Sequence, residues 1–194
     1  MSERQPEDAT LVARTAAGDD EAFRMLVERH HRAIFRLAYR HLGSVADAED
    51  VTQDTFHRLF EAARRYRPER PLRAYLFTIA ARLCLKRNKR HDRSRTVPVA
   101  PAAIEASPGP SAGASPEEAL WQKEREAAIR SALDELPADQ RLALILLRYE
   151  EMSGEEIARV LDRSPAAVHS LLYRARGRMA ELLQAAASLR EVER

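Results

Sequence analysis

The sequence has one cysteine, Cys84, in 194 residues. A structural disulfide within the chain is excluded, and so is a cysteine-rich zinc site. Cys84 falls among apolar residues at helical spacing and reads as a small buried hydrophobe. Glycine is scarce as well, at six residues, and neither a phosphate-cradling glycine loop nor a G-x-S-x-G elbow occurs. The histidines His30, His31, His41, His57, His91 and His169 show no H-E-x-x-H spacing. His30 and His31 are neighbours, so they point to different faces of a helix. No metal, no cofactor and no catalytic set is expected, and the chain does not read as an enzyme. No apolar run approaches the roughly 18 residues that span a bilayer. The N-terminus, with Glu3, Glu7 and Asp8, is acidic and unlike a signal peptide, so a cytoplasmic location is expected. Net charge is only +2, so the overall balance says nothing about nucleic acid, and the distribution of charge has to be read instead.

What is abundant is alanine, leucine, arginine and glutamate, which favours helix over strand. Residues 7–90 are densely helical in pattern. Residues 91–116 hold Pro98, Pro101, Pro108, Pro110 and Pro116 with much Ala and Ser, lack a sustained apolar period and read as a flexible linker. Residues 117–190 are helical again. The expected fold is all-α: two small helical domains on a tether.

In the first zone Phe23, Leu26, Val27, Ile34, Leu37 and Ala38 recur at helical spacing. Gly43 ends that helix. Ser44 starts the next, with Asp47 three residues on in the manner of a capping box. Ala48, Val51, Thr55, Leu59 and Ala62 form one face of this second helix; Asp50, Gln53, Asp54, His57 and Glu61 form the other. After a polar loop from Arg64 to Arg70, Pro71 suits a first helical turn. Leu72, Tyr75, Leu76, Ile79, Ala80 and Leu83 are the expected buried stripe of that helix. In the last zone Leu120, Ala127, Ala128, Leu133 and Leu136 predict one helix, and Leu142, Ile145, Leu146 and Tyr149 a second. Ser153 and Glu156 form an S-x-x-E capping box for a third, with Ile157, Ala158, Val160 and Leu161. Ser164-Pro165 restarts the chain as N-cap and first helical residue, and Val168, Leu171, Leu172, Ala175 and Met179 are buried beyond it.

Only Asp162 and Arg163 separate the last two apolar periods, the spacing of a helix-turn-helix. The exposed face of its second helix is expected to carry His169, Ser170, Tyr173, Arg174 and Arg178, with Arg176 beside it. From Arg163 to Arg178 there are four arginines and no acid. Short polar residues at the helix start suit a major groove, with His169, Ser170 and Arg174 toward base edges and Arg163, Arg176 and Arg178 toward phosphates. The alternative is a solvated basic face on an ordinary helical hairpin. A basic run, Lys86, Arg87, Lys89, Arg90, Arg93 and Arg95, is opposed only by Asp92 and suits either phosphate tracking or a helix C-terminus. The stripe Glu49, Asp50, Gln53, Asp54 and His57 would repel phosphates. It is either a docking face for a basic protein or a plain solvated face. The loop Tyr66 to Pro71, with Tyr75 and Arg82, brings aromatic and cationic groups together, as does a site for an unstacked base, although Tyr75 at stripe spacing also suits the core.

The stretch DAEDVTQDTFHRLFEAARRYRPERPLRAYLFTIAARLCLKRNKR resembles region two of bacterial sigma factors of the extracytoplasmic-function group. The stretch ALDELPADQRLALILLRYEEMSGEEIARVLDRSPAAVHSLLYRARGRMAELL resembles their region four. The resemblance implies an alternative sigma factor that binds core RNA polymerase and directs promoter recognition. It implies docking on polymerase through Glu49, Asp50, Gln53, Asp54 and His57. It implies contact with the minus-ten element through Tyr66, Arg67, Arg70, Tyr75, Arg82 and Lys86, and with the minus-thirty-five element through Arg163, Ser164, Ala167, His169, Ser170, Tyr173, Arg174, Arg176 and Arg178. The linker would thread toward the active-centre and RNA-exit channels of polymerase, and an anti-sigma factor is an expected partner. The family pattern W-L-x-x-I-A-x-N has Trp where this chain has Tyr75 and Asn where it has Arg82, which puts the usual minus-ten base preference in doubt. Two other readings stand beside this one. A sigma mimic would lose the basic reading face and usually carry a receiver domain. A helix-turn-helix repressor would need a dimer interface and would leave the N-terminal half without a purpose.

Overall fold

The computed structural model describes residues 7–67, 71–91 and 115–192. Among these there are eight α-helices: α1 (Asp8–Ala16), α2 (Asp20–Leu42), α3 (Val45–Ala62), α4 (Leu72–His91), α5 (Pro116–Asp134), α6 (Ala138–Tyr149), α7 (Gly154–Leu161) and α8 (Pro165–Val192). A 3-10 turn, Ala63–Arg65, follows α3. No strand occurs among the described residues. They divide into two compact units. The first holds α1 to α4; the second holds α5, α6, α8 and the larger part of α7.

The first unit is a bundle in which α2 packs on α1, α3 and α4. Leu11, Leu26, Ile34, Leu37, Val51, Leu59, Leu76 and Phe77 are buried at its centre, each large side chain contributing about 1.5–3 kcal/mol by leaving water. Gly43 closes α2 with φ of 70°, a left-handed conformation that glycine adopts without a Cβ clash. The Ser44 hydroxyl then accepts from the Asp47 N–H at 3.3 Å and opens α3. Buried threonines stay satisfied within their helices: Thr15, Thr52 and Thr55 donate to the carbonyls of Leu11, Ala48 and Val51.

Helix α4 departs from a single stripe. Leu76, Phe77, Ala80, Ala81, Leu83 and Cys84 are all buried, so its middle is enclosed around much of its circumference. Phe77, off the expected stripe, is 1% exposed and lies under the Arg73 guanidinium, 5.0 Å from the ring centroid. Tyr75, on the stripe, is only half-buried. Pro71 sits one place earlier than expected: its carbonyl accepts from Tyr75 N–H at 3.3 Å, so it precedes the first helical residue.

In the second unit Leu142, Ala143, Ile145 and Leu146 of α6 are fully buried, with Ile157, Val168 and Ala175 from the following helices. Ile129, Leu144 and Met179 flank a cluster of Leu133, Leu136 and Ala175. Three residues expected in apolar stripes are exposed here. Leu120 is 57% exposed and Ala127 is also exposed, whereas Ala132 and Leu133 near the C-terminus of α5 are buried. Periodicity marks a face but does not supply a neighbour to cover it. Tyr149, expected in the α6 stripe, is likewise exposed.

The expected linker is trimmed at both ends. His91 belongs to α4, and the Ser115 hydroxyl accepts from Glu118 N–H while the Glu118 carboxylate accepts from Ser115 N–H, a full capping box ahead of Pro116. Residues 92–114 lie outside those described. No described helix is long and apolar enough to cross a membrane.

Candidate functional site

The helix-turn-helix is built as its caps require. Ser153 N–H donates to the Glu156 carboxylate at 2.8 Å, and Glu156 N–H donates to the Ser153 hydroxyl at 3.3 Å. At the far end of α7, Asp162 takes φ of 55° and Arg163 N–H reaches back to the Ala158 carbonyl at 2.9 Å. That six-to-one bond is a Schellman stop, with Asp in the left-handed place that Gly usually fills. Ser164 then accepts from Ala167 N–H at 3.2 Å and α8 starts at Pro165. Two caps and a left-handed residue leave a tight turn between the helices.

On α8 the apolar positions Val168, Leu172 and Ala175 face inward, which sends the intervening residues outward. Ser164, His169, Ser170, Tyr173, Arg174, Arg176 and Arg178 are exposed, and Ala167 is intermediate. Tyr173 is 75% exposed, too much for a core aromatic. His169, Ser170, Tyr173 and Arg174 line one shallow depression. The cations on this face are not equivalent. Arg163 pairs with Asp139 at 2.9 Å and Arg178 with Glu181 at 3.0 Å, while Arg174 Nε lies 3.3 Å from the Ser170 carbonyl of its own helix. Arg163 and Arg178 are thus already paired with acids, and an anion would have to displace Asp139 or Glu181 to reach them.

In the first unit Glu49, Asp50, Gln53, Asp54 and His57 are all exposed along α3, with His57 3.6 Å from Glu61. Beside this stripe Phe60, 49% exposed, meets Phe23 edge-on at 5.1 Å. Just past the C-terminus of α3, Tyr66 and Tyr75 stack edge-to-face at 5.5 Å, so Tyr75 joins the loop instead of filling the core. Burial pushes the Tyr66 hydroxyl above its ordinary range, helped by the nearby Asp8 carboxylate. Asp8 also pairs with Arg29 at 2.6 Å and with His30 at 3.0 Å. Burial lowers the His30 pKa, against the upward pull of Asp8. Arg67, Arg82 and Lys86 are exposed; Arg70 lies outside the described residues.

Sequence spacing missed the partners of these cations. Arg87, in the run that suits either phosphate tracking or a helix C-terminus, is 2.7 Å from Asp50 and 3.3 Å from Asp47. Asp8, Asp47 and Asp139 act across long sequence separations that no helical period reports. Cys84 is fully buried, and burial pushes its thiol up to about 12, so it stays protonated and inert near neutral pH. Among the described residues no group of three or more His, Cys, Asp and Glu is placed to hold a metal ion.

The chain matches the family described as Sigma-70 region 2 over residues 26–94 and that described as Sigma-70, region 4 over residues 126–179. It is 30% identical over 184 residues to the RNA polymerase sigma-H factor of Pseudomonas aeruginosa, across 93% of this chain and 95% of that protein. It is 33% identical over 179 residues to the ECF RNA polymerase sigma factor SigM of Mycobacterium tuberculosis, across 91% and 84% respectively. Among solved structures it is similar to the sigma factor RpoE of Bartonella quintana in complex with the anti-sigma factor NepR. That match has 26% identity and a TM-score of 0.62, over 84% of this chain and 96% of that one.

Proposed function

The chain belongs to the extracytoplasmic-function sigma factors, which bind core RNA polymerase and direct promoter recognition and transcription initiation, and from that membership we propose how its two units divide the work. The first, residues 7–90, docks on core polymerase through Glu49, Asp50, Gln53, Asp54 and His57. It meets the minus-ten element through Tyr66, Arg67, Arg70, Tyr75, Arg82 and Lys86. The second, residues 117–190, reads the minus-thirty-five element through Arg163, Ser164, Ala167, His169, Ser170, Tyr173, Arg174, Arg176 and Arg178. Residues 92–114 tether the two.

The observation that carries this reading is the outer face of α8: polar, free of acids from Arg163 to Arg178, and presented just after a doubly capped turn. An α-helix of that character fits a major groove, where arginine meets guanine edges and phosphates. The acidic stripe supports docking because its charge forbids DNA and suits a basic protein surface. The edge-stacked Tyr66 and Tyr75 offer an aromatic wall for an unstacked base, and Arg82, exposed where the family pattern has Asn, offers a phosphate a partner. We further propose an anti-sigma factor as regulator, supported by the similarity to a sigma factor solved with one. The site of action is the cytoplasm, where polymerase works, and the role is binding without catalysis.

Transcription in vitro tests the reading. The purified chain, core polymerase and genomic promoter fragments are expected to give defined start sites absent with core alone. No start-site selection beyond core alone overturns it. A sigma mimic would bind an anti-sigma factor and give no transcripts; the retained Arg174, Arg176 and Arg178 speak against it.

A further inference from the structure

On the reading that α3 carries the polymerase-docking face, we propose that Arg87 is the positioning residue of that face, bridging Asp47 and Asp50 so that Asp50 is presented to polymerase already oriented. Arg87 Nε lies 3.3 Å from Asp47 Oδ1, and its Nη2 lies 2.7 Å from Asp50 Oδ2. The guanidinium side chain is 22% exposed and that of Asp47 is 21% exposed, whereas Asp50 is 61% exposed. One carboxylate is thus an inner anchor and the other an outer presenter, with a planar fork between them.

The arrangement solves a local conflict. Asp47 and Asp50 are one helical turn apart, a spacing at which like charges repel. A single cation between them removes that repulsion and restrains both side chains. An ionised carboxylate accepts at about four lone-pair positions, so Asp50 can hold Arg87 on one side and still receive a partner's cation on the other. Ordering Asp50 before the encounter spares the complex the cost of ordering it afterwards. Asp47 itself is not on the exposed stripe, and its backbone N–H, bonded to Ser44, keeps α3 capped whatever its side chain does. It can therefore be altered without touching either the docking surface or the cap.

The test is equilibrium binding of the full-length chain to core RNA polymerase, with helix content and thermal midpoint measured on each variant. Asp47→Asn and Arg87→Gln are each expected to weaken binding roughly three- to tenfold, the size of a part-exposed charge coupling. The double variant is expected to be no weaker than Arg87→Gln alone, because both changes break one device. Arg87→Lys is expected to recover part of the loss, since its ammonium restores the charge but not the two-pronged geometry. Should Arg87→Gln fail to fold, Asp47→Asn carries the test. Unchanged core affinity in Asp47→Asn, or losses that add in the double variant, overturn the proposal; a purely structural pair would shift the thermal midpoint and leave affinity alone. Asp54→Arg is the control for the docking reading. If it too leaves core affinity unchanged, the docking face itself is misplaced; if it weakens binding while Asp47→Asn does not, only the role of Arg87 falls.

Discussion

Removing an acid from the second unit should tighten its grip on DNA, and the size of the gain follows from one ion pair. Arg163 is held by Asp139 at 2.9 Å, with the two side chains 53% and 40% exposed. To reach a phosphate the arginine must leave Asp139. Exposed pairs of this kind are worth about 0.2–1 kcal/mol, so Asp139→Asn should strengthen binding of a minus-thirty-five duplex by roughly 1.5- to 5-fold at low salt. The freed cation should also steepen the salt dependence, by up to ~0.9 in log affinity against log salt if it takes a whole phosphate. Stability should move the other way. Asp139 lies in the first turn of α6, where an acid favours the helix dipole by about 0.3–1 kcal/mol. A variant that is slightly less stable yet binds more tightly is hard to obtain by accident. The assay is fluorescence anisotropy of a labelled promoter duplex titrated with the full chain across a salt series. On an Arg163→Gln background the same substitution should do little. Weaker or unchanged binding of Asp139→Asn at low salt would refute the exchange of partners and remove Arg163 from the phosphate contacts.

Three further outcomes are expected. Arg174→Ala should cost about 1–3 kcal/mol of discrimination between promoter and altered minus-thirty-five duplexes, whereas Arg176→Gln should weaken all duplexes alike; competition titrations separate the two. Cys84 should resist thiol reagents in the native chain and react at once in denaturant, because burial holds its pKa at about 12; rapid native labelling would contradict the packing of α4. His30 should make the first unit acid-sensitive. Its folded pKa is lowered by burial, so the unfolded chain binds the extra proton, and stability falls as pH drops below the ordinary value of about 6.5. Denaturant midpoints across that range should decline for the natural chain and decline less for His30→Gln; identical slopes would sink this assignment.

Local features were legible in the sequence because their physics is local. Ser44, the Ser153–Glu156 box and Ser164-Pro165 all cap helices, since each needs only residues within one turn. Ser115-Pro116 carries the same signature as Ser164-Pro165, but the proline-rich stretch before it disguised a helix start as linker. The outward faces of α3 and α8 were legible through the 3.6-residue period. What that period cannot report is what lies across from a face. Hence Leu120 and Ala127 read as packed when they are exposed, and Phe77, which lies outside the expected stripe, is buried under Arg73. The Asp50 partner of Arg87 was illegible for the same reason: Asp50 lies 37 residues earlier and reaches it only through the packing of α3 on α4. Tyr75 shows both limits, because its spacing suited the core as well as the loop, and it ends half-buried against Tyr66.

The lone cysteine has a practical corollary. With the natural sulfur sealed at 0% exposure, a maleimide dye has nothing to compete with at the surface. A pair such as Glu61→Cys and Gln184→Cys, both at exposed positions, would then be the only two points of attachment. Donor and acceptor placed there would turn the separation of the two units into an optical signal, followed from free protein to polymerase-bound protein without first rebuilding the chain as a cysteine-free background.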